Sequence, residues 1–499
     1  MLQAAIGKYH YQKKQIKGYN LETKSNQIVA KLLMAEEFEN TTDTSFDAAA
    51  SKAERFDKGE AIRKVTPRSV HQQLNLTEDR EDPVEILIKT SIGRIENLLP
   101  IRYSRMMESP FAFFRGAAAI MAADLAQTPS TGIHLQLCGD CHLMNFGGFA
   151  TPERKLVFDI NDFDETYPGP WEWDLKRLAT SFAIAGRWKK FSKKTCKEFA
   201  WNVADSYKRH MLEYSKLSAL QIWYAHIDLA ELIELGEDEE IKSFQQKRIK
   251  KAGEYTAHEK EFAKMTYKEG SRARIKDDPP LIYHPTGEEG KRILKEAAIV
   301  HKRYIDSLPD DKKVLLNRYT LHDLAVKVVG VGSVGTSCGI SLLMSATGEP
   351  IFLQFKEARK SVLEDNVKIK NKYPHEGERI VMGQKLMQSA SDMFLGWTND
   401  SQNKFFYIRQ LRDAKVKPVL EIMKEQNMSD YAKACGWALA RAHARTGDPS
   451  LLSGYMGKND EFANAIAKFS ILYADQNEAD YNKMVDAVKA GRLPIAAET

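Results

Sequence analysis

The sequence predicts a mostly helical α+β protein of two lobes, with the helical lobe first in the chain and a β-rich lobe after it. Three observations lead there. Apolar residues recur at helical spacing through EILIKTSIGRIENLLPIRYSRMMES and PFAFFRGAAAIMAADLAQ, through residues 174–265 and through DYAKACGWALARAHAR. IHLQLCGDCHLMNFGGF and KLVFDINDFDE are short β-rich runs bounded by glycine and by the turn ATPERK. Residues 326–358 read strand, glycine loop, strand, TGEP turn, strand, which is a β-meander.

Taken in order, residues 1–84 are rich in Lys, Gln, Asn, Asp and Thr and read as a polar, loosely packed extension. Apolar density rises at residue 85, where a compact domain is expected to begin. Residues 85–325 form the helical lobe, ending in a Gly-, Pro- and charge-rich stretch at 266–292 that reads as an exposed linker or substrate loop. Residues 326–415 form the β-rich lobe, with a helix over GERIVMGQKLMQSASDMF and a strand at FFYIRQL. Residues 416–499 are helices expected to pack back on the first lobe.

Composition narrows the function classes. The chain has 499 residues, 43% hydrophobic and 28% charged, and a formal net charge of +5, too slight on this length to argue for a nucleic acid or an anionic membrane as partner. The opening MLQAAIGKYHYQKKQIKGYN has no apolar core of the kind a secretory signal needs, and no later run reaches the length of a membrane span, so a cytoplasmic location is expected. Five cysteines, at 138, 141, 196, 338 and 435, do not form a disulfide pattern, and reduced thiols are expected.

Three constellations bear chemistry. Asp140 and Asn145 lie five positions apart in a loop between strands, the interval at which kinase catalytic loops place the aspartate that orients the acceptor hydroxyl and the asparagine that holds Mg²⁺. A turn in which both side chains bond backbone amides is the competing reading. Asp159, Asp162, Asp164 and Glu165 crowd the end of the following strand, and so many carboxylates need solvent or cations; hard oxygen donors suit Mg²⁺, which makes Asp162 and Asp164 candidate ligands beside Asn145.

The third is Gly330-Val331-Gly332-Ser333-Val334-Gly335. In a dinucleotide-binding unit such a loop enters a helix, whereas here it enters Cys338-Gly339-Ile340-Ser341-Leu342-Leu343, a turn, and a strand that carries Lys356. That order suits a hairpin over phosphates followed by a lysine that grips them, with a glutamate on the next helix fixing the lysine. Glu378 is the candidate for it, with Glu357, Glu364 and Gln384 competing, and an edge-strand lysine is the plain alternative for Lys356.

At SPFAFFRGAAAIMAADLA, CGDCHLMNFG, FDINDFDETYPGPWEWDLKRLATS, VVGVGSVGT, LQFKEA, FFYIRQLRD and GWALARAHARTGD the chain resembles the bacterial family called domain of unknown function 2252 (DUF2252), over roughly residues 85–490. The blocks are also similar to small-molecule kinases of the aminoglycoside phosphotransferase and choline kinase type, with their HGD-x-H-x-x-N loop, IDW-type metal aspartate and D-x-x-x-D-L helix start. CGDCHLMN looks like the first, which adds His142 to Asp140 and Asn145; Ile160-Asn161-Asp162-Phe163 looks like the second; and Trp171-Glu172-Trp173-Asp174-Leu175 looks like the third. The resemblance implies Asp140, His142, Asn145 and Asp162 as catalytic residues, Asn145, Asp162 and Asp164 as Mg²⁺ ligands, and Asp174 as a buttress of the loop. Cys138 departs from the pattern by standing where those kinases have histidine.

The expectation is therefore a protein-kinase-like bilobal fold, circularly permuted so that the catalytic lobe precedes the nucleotide lobe; permutation is admissible because a site needs only spatial convergence. ATP is expected between the lobes, its phosphates under Gly330, Gly332 and Gly335 and paired with Lys356. Either helix 430–445 or helix 112–126 is expected beside the catalytic loop. The acceptor stays open among sugars, amino alcohols, protein hydroxyls and side chains that take a nucleotidyl group. A catalytically silent kinase-fold protein that binds nucleotide or a partner is the alternative. Cys138-Gly-Asp-Cys141-His142 fits the pattern of covalent haem attachment, but no export signal accompanies it and no haem is expected. Arg102, Arg105 and Arg115 are candidate contacts for phosphate or an anionic acceptor, with ordinary carboxylate pairing as the competing reading.

Overall fold

The computed structural model of this chain describes residues 49–496 apart from 237, 254–261, 271, 329–333 and 412–414. One compact unit spans Ser45–Thr499; Met1–Thr44 is a separate unit outside the described residues. The fold is mixed α+β. It begins with α1 (Lys52–Val65), α2 (Pro83–Ser91), α3 (Leu99–Met107), α4 (Pro110–Gly116) and α5 (Ala118–Leu125). Strands β1 (His134–Leu137), β2 (Phe146–Ala150), β3 (Leu156–Ile160) and β4 (Tyr167–Pro170) follow, then α6 (Glu172–Trp188) and α7 (Lys193–Lys216). After shorter helices come β5 (Thr266–Glu269), β6 (Arg272–Ile275), β7 (Ile282–Tyr283) and α8 (Gly287–Ser307). The chain continues with β8 (Tyr319–Lys327), β9 (Cys338–Ser345), β10 (Pro350–Glu357), α9 (Glu376–Met387), β11 (Gly396–Asn399) and β12 (Phe405–Gln410). It closes with α10 (Glu425–Thr446), α11 (Pro449–Met456) and α12 (Glu461–Lys489).

Two layers organise these elements. In the helical layer α10, α11 and α12 pack on α7, and α12 also on α6, burying a continuous core that includes Leu178, Phe182, Val203, Leu439, Leu452 and Phe469. The other layer is a six-stranded antiparallel sheet in the order β11-β12-β10-β9-β8-β7. Side chains alternate across it. Ile351, Leu353 and Phe355 of β10 face Val300, Tyr304 and Leu308 of α8, while Phe352 joins Ile340, Leu342 and Met344 of β9 against Met265, Ala273 and Ile275. No helix among the described residues is long and apolar enough to cross a membrane, and all five cysteines are free and buried.

Two sequence expectations are corrected. The stretch at 266–292 is not only an exposed linker or loop: β5 and β6 pair as a hairpin, β7 adds a sixth strand to the sheet, and α8 begins at Gly287. Nor are residues 49–84 loosely packed, because they belong to the compact unit; the rest of the expected extension lies outside the described residues. Ser51 caps α1 through a capping box with Glu54, and α1 crosses α11 so closely that a Cβ on Gly59 would lie 2.0 Å from the Leu451 carbonyl oxygen and one on Gly454 2.0 Å from that of Phe56. This contact needs few large apolar side chains, which is why the segment reads as polar.

His71 anchors the same region. Its Nε2 lies 2.7 Å from the Tyr455 hydroxyl and its ring meets Tyr455 and Phe462 edge to face. Burial, and then the charge of Lys176, hold its pKa well below the ordinary histidine value. Above about pH 6.5 the ring is neutral both folded and unfolded and its contribution is complete. As pH falls below that value the unfolded chain binds a proton that the fold refuses, so stability drops by up to about 1.4 kcal/mol per pH unit. Urea unfolding from pH 7 to pH 5 is expected to show this slope in the wild type and a shallower one in His71→Phe.

Candidate functional site

Hairpin geometry explains why distant motifs converge. The β1–β4 ladder pairs Leu137 with Tyr167 and so lays the loop after β1 beside the segment before β4. Gly139 allows the approach: its φ is +87°, and a Cβ there would sit 2.1 Å from the Glu165 carbonyl oxygen. The β2–β3 hairpin pairs Phe146 with Ile160, and Asn161 N–H donates to the Asn145 carbonyl at 2.7 Å, so Asn145 and Asp162 leave adjacent strand ends.

The loop carrying Asp140 is tied down from several helices. Asp174, in the first turn of α6, accepts the N–H groups of Cys138 at 2.8 Å and Gly139 at 3.0 Å. His443 Nε2 lies 3.3 Å from the same carboxylate and its Nδ1 2.9 Å from the Tyr207 hydroxyl. Tyr431 donates to the Leu143 carbonyl at 2.6 Å, so α10 lies beside the loop. The helices upstream touch it too, through Arg177, which donates to the Phe114 carbonyl at 3.0 Å and to Asp140 Oδ1 at 2.8 Å from Nε. Asn145 Nδ2 donates to the Asp140 carbonyl at 2.8 Å. His142 caps the short helical turn over Leu143–Asn145 through Nδ1, and its Nε2 is 3.7 Å from Asp140 Oδ2. Burial pushes its pKa down to about 3, leaving a neutral imidazole.

Lys356 reaches this loop from the sheet. It is no edge lysine: β10 lies between β9 and β12, and the side chain is 5% exposed. It has the parity of Phe352 and Gln354, and the β10–β12 register sets Lys356 opposite Tyr407 and Gln354 opposite Arg409. Lys356 forms an ion pair with Asp164 Oδ2, and its Nζ is 3.9 Å from Asp162 Oδ2. Tyr407 donates to Asp164 Oδ1 at 2.6 Å. Burial alone would raise Asp164, but Lys356 and the Tyr407 hydroxyl outweigh it and hold the carboxyl below its ordinary value. Burial and the neighbouring Asp164 push Asp162 above its own. Burial likewise opposes the charge on Lys356, and Asp162 and Asp164 overcome it, raising its pKa well above normal.

Two expected roles change on this geometry. Glu378, in the first turn of α9, makes no ion pair with Lys356; the residue of that helix turned toward the site is Arg379, whose guanidinium donates to the carbonyls of Asp164 at 3.0 Å and Arg359 at 2.8 Å. The carboxylate that fixes Lys356 is Asp164. Asp164 is in turn engaged at both oxygens, by Lys356 and Tyr407, and in this structure it holds the lysine. Arg102 is no ligand contact either: it is buried on Ser91 and Thr90. Gly330 and Gly332 lie outside the described residues; Gly335, with φ +88°, accepts the Ile95 N–H at 2.7 Å.

Asp140, His142, Asn145, Asp162 and Asp164 line one cleft of about 540 Å³, together with Arg94, Arg115, Thr336 and Arg359. Asn145 and Asp162 suit a divalent cation, since both offer hard oxygens and Asp162 carries a charge that its surroundings disfavour. Cys138, Cys141 and Asp174 also lie within 4.8 Å of one another. In that group Asp174 is already occupied by the backbone N–H groups of Cys138 and Gly139 and by His443, and burial pushes both thiols up.

Sequence reasoning missed Arg177, Tyr407 and Arg409. The last two had a signal, because FFYIRQL alternates and puts them on one face.

Residues 94–487 match the model of a family described as "Uncharacterized protein conserved in bacteria (DUF2252)". No curated protein and no solved structure matches the chain. The chain belongs to this DUF2252 family.

Proposed function

We propose that this member of the DUF2252 family is an ATP- and Mg²⁺-dependent phosphotransferase of the protein-kinase-like superfold, circularly permuted, acting on a hydroxyl of a small molecule or protein. The observation that carries the reading is the meeting of Lys356, from the middle of an antiparallel sheet, with Asp162 and Asp164 in the cleft that also holds Asp140 and Asn145. Asn145 and Asp162 would hold Mg²⁺, which would supply charge neutralisation for a migrating phosphoryl group. Lys356 pairs with nucleotide phosphate, Asp164 and Tyr407 keep the lysine charged and in place, and Asp140 orients the acceptor hydroxyl with Oδ2, its Oδ1 being held by Arg177.

The same Arg177 contact favours a second reading, a silent nucleotide-binding protein, because it occupies an oxygen of Asp140 that an acceptor hydroxyl would otherwise meet. Asp140→Asn separates the two. If transfer occurs, the variant keeps its affinity for ATP and loses turnover by on the order of 10³-fold; an ATP-consuming activity equal in both proteins contradicts the role of Asp140. The reading as a whole is tested by a thermal-shift screen of ATP, other nucleotides and NAD, each with and without Mg²⁺. A rise in Tm with ATP and Mg²⁺ and none with NAD is expected; stabilisation by NAD alone would overturn it.

A further inference from the structure

The cleft is lined by charges of both signs. Asp140, Asp162 and Asp164 line it, and so do Arg94, Arg115 and Arg359, with Glu165 and Glu357 as further carboxylates that act on Arg94. The three aspartates have cationic partners in the protein, but none of these three arginines has a carboxylate within 4.0 Å among the described residues. Arg94 donates to the carbonyls of Thr90 and, at 2.6 Å, of Val334, and Arg359 to those of Thr90 and Ile92. Arg115 has no hydrogen-bond partner among the described residues; its Nε is buried without one and its guanidinium sits 6.0 Å from the Phe111 ring centroid. Burial lowers Arg94 and Arg115, and Arg102 and Arg359 lower Arg94 further.

A guanidinium held in a cleft without a carboxylate in contact gains from an anion brought in from outside the chain. Guanidinium forks match the planar pairs of oxygens on phosphates and carboxylates. We propose that Arg94, Arg115 and Arg359 form an oxyanion site, and that the acceptor bound in this cleft carries a phosphate or carboxylate group. The statement about the acceptor rests on the phosphotransferase reading; the anion site stands on the arginines alone. Position favours the acceptor as the source. Arg115 lines the same cleft as Asp140, the group assigned to the acceptor hydroxyl, and of the carboxylates acting on it Asp140 has the larger influence. Arg94 lies against Gly335, where the glycine loop ends, so nucleotide phosphate is the other possible source of the same chemistry.

The test is isothermal titration of inorganic phosphate into the full chain, at ionic strength matched with chloride, for the wild type, Arg115→Gln and Arg359→Gln. Saturable binding that weakens about 10-fold or more in each variant is expected, and it should persist when ATP and Mg²⁺ are saturating. Arg115→Gln removes no hydrogen bond within the protein and should raise Tm in phosphate-free buffer. Loss of phosphate binding on adding ATP and Mg²⁺ would assign the arginines to the nucleotide and overturn the acceptor part. Phosphate binding by a protein that gives no heat of its own with ATP and Mg²⁺ would fell the phosphotransferase reading and leave the anion site intact. No heat up to tens of millimolar phosphate, or equal affinity in all three proteins, would overturn the site itself.

Discussion

Asp162→Asn is expected to yield a folded protein whose Mg²⁺-dependent turnover falls by on the order of 10³-fold. The substitution keeps size and shape, and an asparagine Oδ1 can still accept the Asp164 N–H that Asp162 receives at 3.3 Å. Structurally it costs little, since burial and Asp164 already disfavour the Asp162 charge. What disappears is the anionic oxygen available to a divalent cation. Steady-state rates with Tm measured alongside check this: a lower rate at unchanged or higher Tm is the expected pair, and an unaltered rate refutes the assignment.

The second large effect is on stability as well as binding. Lys356→Met leaves Asp164 and Asp162 beside one another with Arg409 as their remaining cation, and removing one partner of this partly buried ion pair costs about 2 kcal/mol. The deficit has a definite pH dependence. In the wild type the depressed pKa of Asp164 contributes stability above the ordinary carboxylate pKa of about 4, and that contribution is lost as pH falls through the lower folded value. Without the lysine, burial, the largest influence on Asp164, is opposed only by the Tyr407 hydroxyl and Arg409, and the folded pKa of Asp164 is expected to rise. The variant therefore gains on the wild type in acid and falls further behind toward pH 7. Urea unfolding of both proteins between pH 4 and pH 7 reads this out, and a deficit independent of pH would place the effect in packing instead. Affinity for ATP should fall in the same variant.

The places of Asp162 after a strand and of Lys356 on one were legible because their signals are local. A turn, an alternating run and a fixed interval are written in consecutive residues, so the meander, Lys356 on β10, and the pairing of Asp140 with Asn145 could be read directly. The identity of the lysine's partner could not. Several carboxylates were candidates by chain position, and the choice of Asp164 over Glu378 depends on which residue of α9 faces inward and on where the loop after β3 lies, both tertiary facts. Segment 51–80 was hidden for another reason, since it packs through glycine contacts and through Arg80, which bridges Asp124 and Asp480, none of which registers as apolar periodicity. The arginine site draws on residues 94, 115 and 359, and only folding makes these neighbours.

The central claim is that the sheet lysine and the loop carboxylates serve one nucleotide and metal site. Electron paramagnetic resonance of Mn²⁺, used in place of Mg²⁺ and titrated into the protein with and without a non-hydrolysable ATP analogue, addresses it most directly. The account predicts tight, analogue-dependent Mn²⁺ binding that is lost in Asp162→Asn and weakened in Lys356→Met. Binding indifferent to the analogue, or unchanged in both variants, would contradict it.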